Sequence, residues 1–150
     1  MSVLAPLVVI LGPTASGKSS LAIHLAQQLN GEVLVCDSTQ VYRHFDIGTA
    51  KVPLAEQEGI AHHLVDLVEP EELFTAGEYR RRALLVLAEV TKRGKLPILT
   101  AVDADKRAVA DRLAAAYRVP TLATSLTRNK PNYFSVWKLK PTTRFVTRTP

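Results

Sequence analysis

Residues 12–19, Gly-Pro-Thr-Ala-Ser-Gly-Lys-Ser, constrain this chain more than any other stretch. They fit G-x-x-x-x-G-K-[ST], a loop built to surround an anion. The pattern carries weight only between a strand and a helix, and both are legible. Residues 4–11, LAPLVVIL, form a continuous apolar run with β-branched Val8, Val9 and Ile10. Such a run suits a strand covered on both faces of a parallel sheet. From Lys18 to Leu29 the apolar residues Leu21, Ala22, Leu25, Ala26 and Leu29 recur at helical spacing. Asn30-Gly31 stops that helix, and residues 32–37, EVLVCD, give a second short strand ending in an acid. Strand, loop, helix and strand make one βαβ crossover.

The chemistry demands these residue types. Gly12 and Gly17 admit backbone conformations closed to other residues and allow close approach to a ligand. The loop N–H groups and the helix N-terminus behind them point toward an anion. Lys18 adds a full charge on a long arm, and the Ser19 hydroxyl can join the shell of a Mg²⁺ ion. The loop does not specify the phosphate's owner: nucleotides, diphosphate esters and sugar phosphates all fit.

Asp37-Ser38-Thr39-Gln40 leave the second strand. Ligands of open parallel sheets bind beyond the carboxyl ends of the strands, so Asp37 is expected to face the same crevice as residues 12–19. A carboxylate there can bind Mg²⁺, act as a general base, or only cap a turn. Ser38 and Gln40 carry donors and acceptors able to read a planar polar group.

Further on, residues 38–52 read as an ordered loop turning at Gly48, and Pro53 can open a brief helix over 54–59. Residues 62–68 read as a strand or an extended segment. Thr75 is a candidate N-cap with Glu78 three residues on. The helix that follows, 76–93, puts Tyr79, Ala83, Leu84, Leu87 and Val90 on one stripe, and Gly94 stops it. Residues 96–99 read as another strand. The alternation implies an α/β fold: a kinase-like, P-loop NTPase-type parallel sheet with flanking helices, incomplete in this chain.

The chain has 150 residues, 47% hydrophobic and 22% charged, which excludes collagen-like, disulfide-stapled and wholly disordered classes. A single cysteine, Cys36, cannot form an internal disulfide and fits a cytoplasmic setting. The longest apolar stretch falls far short of the ~20 residues of a spanning helix, and no charged region precedes it as in a secretory signal. Charge is unevenly placed: residues 1–100 carry net −2 and residues 101–150 net +7. A basic segment of that kind is either a solvated tail or an attractor of phosphate backbones. Residues 103–117 could form a helix, and after Arg118 no single period holds.

Taken together, GPTASGKSSLA, VCDSTQVYRHFDIGTAK, HHLVDLVEPEELFTAGEYRRRA and RGKLPILT resemble the tRNA dimethylallyltransferases, or tRNA isopentenyltransferases, over residues 6–100. The resemblance implies a P-loop core that, with Mg²⁺, moves a dimethylallyl group from dimethylallyl diphosphate to N6 of the adenosine next to the anticodon. It implies that residues 12–19 hold the diphosphate, Thr14 to Ser19 closest. It implies that Asp37 takes the proton from N6 and that Ser38, Thr39 and Gln40 contact the extruded adenine of the tRNA anticodon stem-loop. Extrusion is the general route to a stacked base, and loop amides with Lys18 would stabilise the departing diphosphate. A monomer in the cytoplasm, with no membrane partner, is expected.

Two departures stand out. Val52 separates Lys51 from Pro53, where the family reads GTAKP. After Leu99 the chain reads Thr100-Ala101-Val102-Asp103, where the family has a glycine-rich segment whose threonine faces the diphosphate. The family's helical insertion is not recognisable in residues 101–150, so these form a separate basic segment of unassigned fold, and transfer is expected to be impaired. The competing readings are a small-molecule kinase and a non-catalytic remnant that binds diphosphate or nucleic acid. His62 and His63 read as packing or hydrogen-bonding residues, His24 as a surface residue, Cys36 as a buried inert thiol, and Arg80 to Arg82 as a solvated helix face in preference to an RNA contact. Tyr133, Phe134 and Trp137 among lysines 130, 138 and 140 read as a small apolar patch.

Overall fold

In the computed structural model, which describes residues 6–12, 15–101, 121–126 and 134–136, six strands form one sheet. Strand β1 is Leu7–Leu11, helix α1 Lys18–Leu29, β2 Gly31–Cys36, β3 His62–His63, α2 Ala76–Lys92, β4 Leu96–Ala101, β5 Thr121–Leu126 and β6 Phe134–Val136. The order across the sheet is β3-β2-β4-β1-β5-β6. All neighbours are parallel except β5 and β6. That antiparallel pair departs from the expected all-parallel sheet. Its cause is the short connection over 127–133, since a parallel crossover needs about a dozen residues or more.

Alternation along the strands divides the core between two faces. Leu7 and Val9 of β1, Leu34 of β2 and Leu99 of β4 pack against Tyr79, Ala83, Leu87 and Val90 of α2. Val8, Ile10, Val33, Val35 and Ile98 pack against Ala22 and Ala26 of α1. The helices therefore cover opposite faces, as the βαβ pattern implies. Helix α1 matches its expected bounds, but its buried stripe includes Ile23, and Leu29 is 49% exposed because it lies where β2 is only beginning. Asn30 ends α1 in a left-handed conformation (φ 53°), donating its N–H to the Ala26 carbonyl.

Gly31 then enters β2 under tight constraint. A Cβ there would meet the Leu96 carbonyl oxygen at 2.8 Å and the Ala26 Cα at 3.2 Å. Backbone on both sides cannot move aside cheaply. Gly31→Ala is expected to destabilise the fold by about 2 kcal/mol, the scale of an overpacked core; chemical denaturation measures it.

Three other expectations are corrected or refined. The strand expected over 62–68 shrinks to His62–His63, because Leu64 (φ 68°) and Asp66 (φ 52°) are left-handed and break the extended chain. The brief helix after Pro53 is a single 3₁₀ turn, Leu54–Glu56. The Thr75 cap forms, its hydroxyl accepting the Glu78 N–H at 3.2 Å, while the Glu78 carboxylate bonds Arg81 and Arg82. The helix expected over 103–117 and the aromatic residues Tyr133 and Trp137 lie outside the described residues. Among the described residues no helix is long and apolar enough to cross a membrane.

On the α2 side, Glu32 joins three elements. Its carboxylate accepts from Arg93 Nη2 at 2.6 Å and lies 2.6 Å from His63 Nε2. Burial pushes this carboxyl up, but the hydrogen bonds from Arg93 and His63 outweigh burial and leave it below 4.5. A carboxyl lowered on folding adds stability above its unfolded value and loses it as pH falls through the folded value. Melting temperature should therefore drop on acidification below about pH 4.5 in the native chain, and the drop should be shallower in Glu32→Gln.

Candidate active site

The strand register sets the site. Leu11 of β1 pairs with Ala101 of β4, and Ala101 pairs with Cys36 of β2. The loop that begins at Gly12 and the turn that begins at Asp37 thus leave the sheet at one level, two strand spacings or ~10 Å apart. The Gly12 N–H donates to the Ala101 carbonyl at 3.4 Å, carrying the ladder one residue past β1.

Ala15 (φ 61°) and Gly17 (φ 82°) then turn the chain into α1. Gly17 occupies the N-cap position, no side chain caps the helix, and its first turn holds no acid. This end of the helix dipole thus carries neither a side-chain cap nor an acid, in the direction that favours an anion. Lys18 is buried at the start of α1, Ser16 Oγ is buried without a hydrogen-bond partner, and Ser19 is exposed. Pro13 and Thr14 lie outside the described residues.

Asp37 is held in a fixed orientation. Its Oδ1 accepts from the Thr39 N–H at 2.8 Å, the Thr39 hydroxyl at 2.6 Å and the Gln40 N–H at 3.3 Å. The turn-capping role and the cleft position therefore coexist in one residue. Ser38 and Thr39 are exposed, but Gln40 is buried and its carbonyl accepts from the Asp66 N–H at 3.0 Å.

A cleft of about 470 Å³ contains Ala15 to Ser19 on one side and Asp37 to Gln40 on the other. It thus brings together every described candidate from the sequence except Gly12. Among the described residues, Lys18 and Asp37 are the charged side chains on its walls. Three further parts were not foreseen as cleft walls: the segment Gly48 to Ala50, Thr100 and His62. Thr100 is buried, and its hydroxyl donates to the Leu34 carbonyl at 3.5 Å. The His62 Nδ1–H donates to the Ile60 carbonyl at 2.9 Å, which leaves the lone pair on Nε2, a buried atom with no partner. Burial lowers the basicity of His62. The signal for the first of these walls was the IGTAK stretch, whose place beside the loop no local pattern reveals.

A second hollow, about 140 Å³, shares Cys36, Asp37 and Ser38 with the cleft. Its other walls include Val41, Phe74, Ala76 and Tyr79. The Tyr79 hydroxyl is already spent on the Val35 carbonyl at 3.0 Å, and burial with the adjoining Cys36 pushes this phenol well above its usual range. The hollow is therefore an apolar space opening beside a fixed carboxylate.

For a magnesium ion the donor set fits. Mg²⁺ takes one or two protein oxygens and completes its shell with water and phosphate. Ser19, with a hydroxyl, and Asp37, with a carboxylate, both line the cleft. Among the described residues no cluster of three or more His, Cys, Asp or Glu forms an all-protein cage. The other flagged residues fall in place as packing or surface groups. Cys36 is buried, His24 is exposed, His63 bonds Glu32, and Arg81 and Arg82 pair with Glu78.

Residues 40–101 match the model of the IPP transferase family. The chain is 61% identical over 94 residues to a tRNA dimethylallyltransferase of Solibacter usitatus, covering 63% of this chain and 31% of that relative. A solved tRNA delta(2)-isopentenylpyrophosphate transferase from Staphylococcus epidermidis superposes with a TM-score of 0.62 at 48% identity, over 63% of this chain and 31% of that one. A eukaryotic dimethylallyltransferase solved acting on tRNA gives 0.63 at 41% identity, over 64% of this chain and 24% of that one. The chain thus spans about a third or less of the length of these relatives.

Proposed function

We propose that this chain, whose residues 40–101 match the IPP transferase family, transfers a dimethylallyl group from dimethylallyl diphosphate to N6 of the adenosine next to the anticodon of a tRNA. The observation that carries the reading is the common cleft of residues 15–19 and 37–40 at one level of the sheet. An anion cradle alone suits many phosphates; an anion cradle beside a fixed carboxylate and an apolar hollow suits an allylic diphosphate meeting an amine.

Residues 12–19 hold the diphosphate. The first-turn amides of α1 and Lys18 face the charge that grows on it as the bond to C1 breaks. The apolar hollow beside Asp37 takes the five-carbon group, which gains by leaving water. N6 attacks C1, the C1–O bond breaks, and the diphosphate leaves as an anion. The N6 proton passes to the Asp37 carboxylate. Ser38, Thr39 and Gln40 contact the extruded adenine. Ser19 would hold a Mg²⁺ ion, which when bound neutralises charge on the diphosphate. The protein acts as a monomer in the cytoplasm.

Incubation with labelled dimethylallyl diphosphate, Mg²⁺ and unmodified tRNA tests this. Label is expected in the tRNA with release of diphosphate. The departure of residues 100–103 from the family's glycine-rich segment favours one other reading, a non-catalytic diphosphate binder. Donor binding without transfer of label would establish it instead. Consumption of a nucleoside triphosphate would point to a kinase.

A further inference from the structure

Lys51 has the look of a phosphate ligand: a lysine just after Gly48, Thr49 and Ala50, which wall the diphosphate cleft. Its geometry assigns it otherwise. The side chain is only 8% exposed. Nζ donates to the Tyr42 carbonyl at 2.7 Å, to Asp66 Oδ1 at 2.6 Å and to Asp46 Oδ1 at 3.0 Å. An ammonium has three protons, and all three are spent inside the protein.

The three acceptors are informative. Asp46 lies in the loop that forms the wall, Tyr42 at its root, and Asp66 on the segment after β3. Root and segment are already joined by backbone bonds, Arg43 N–H to Val68 O at 2.9 Å and Leu67 N–H to Val41 O at 2.7 Å. Between them, the loop is strained and poorly packed. His44 (φ 64°) and Ala50 (φ 55°) are left-handed without being glycine, and Ile47 is 97% exposed. Strained backbone persists only when its surroundings over-determine it. The Tyr42–Phe45 ring contact and the Thr49 hydroxyl bond to the Phe45 carbonyl act within the loop and at its root; the buried ammonium is what ties Asp46 of the loop to Asp66.

We propose that Lys51 is a positioning residue, which ties the strained loop of residues 44–50 to Asp66 and so holds the Gly48–Ala50 wall against the diphosphate cleft. This rests on the cleft being a diphosphate site. The side chain never touches the ligand. Asp66 and Asp46 keep it charged although burial opposes that.

The test is the sign of the effect at Asp66. A lysine that bound phosphate would be released by Asp66→Asn, and affinity for an anion would hold or rise. A lysine that positions the wall loses its anchor, and affinity falls. Binding of inorganic diphosphate with Mg²⁺ by titration calorimetry is the readout, with melting temperature alongside. Lys51→Met is expected to weaken binding about tenfold, the scale of a lost supporting contact. Asp66→Asn should weaken it in the same direction, and Lys51→Arg should restore part of it. Melting temperature should fall little in all three, because the loop lies outside both core clusters. Amide exchange of residues 44–50 should quicken in Lys51→Met without ligand. Wild-type binding with equal or tighter binding in Asp66→Asn overturns this proposal and leaves the site reading standing. No binding by the wild-type chain overturns both.

Discussion

Replacing Asp37 by asparagine should lower dimethylallyl transfer by about 10²–10⁴-fold, the usual contribution of a positioned general base. Binding of dimethylallyl diphosphate should stay near the wild-type value. Asparagine is the informative replacement, because its Oδ1 can still accept from Thr39 and from the Gln40 N–H, as the carboxylate does. The turn is retained and the basic group is lost. Single-turnover transfer and donor titration measure the two effects separately. An equal loss of both would make Asp37 a ligand of the metal–diphosphate unit and not the base.

Lys18→Ala should do the reverse. It removes a buried cation from the first turn of α1, and a hydrogen bond to a charged group contributes about 1.5–3 kcal/mol. Affinity for dimethylallyl diphosphate should fall by about 10–150-fold at that scale. Inorganic diphosphate should be weakened to a similar extent, since the proposal assigns Lys18 to the phosphates and not to the hydrocarbon. A Lys18→Ala chain that binds both ligands normally would move the anion away from residues 12–19.

The parts of the site fixed by local chemistry were legible in the sequence. The bounds of α1 followed from Gly17, the helical spacing and Asn30, all of which act within a turn of the helix. The level shared by Gly12 and Asp37 followed from the rule for carboxyl ends of parallel strands, and the register bears it out. The parts fixed by distant contacts were not legible. The strand expected over 62–68 ends at His63 because left-handed Leu64 and Asp66 turn the chain toward Gln40 and Lys51, contacts that span 15 residues or more. Gln40 carries groups able to read a base, but its burial and the bond from the Asp66 N–H to its carbonyl depend on a segment 26 residues away. No local pattern marks Lys51, whose acceptors Asp46, Tyr42 and Asp66 lie 5, 9 and 15 residues away. Strands β5 and β6 escaped notice because residues 118–150 show no clean period of two.

A light-activated analogue of dimethylallyl diphosphate, with a diazirine in its tail, would show where the bound donor lies. After irradiation with Mg²⁺, peptide mapping should find the adduct within residues 36–41 or 74–79, and excess inorganic diphosphate should suppress it. Adducts confined to other segments, or adducts indifferent to diphosphate, would mean that the anion loop and Asp37 do not serve one ligand.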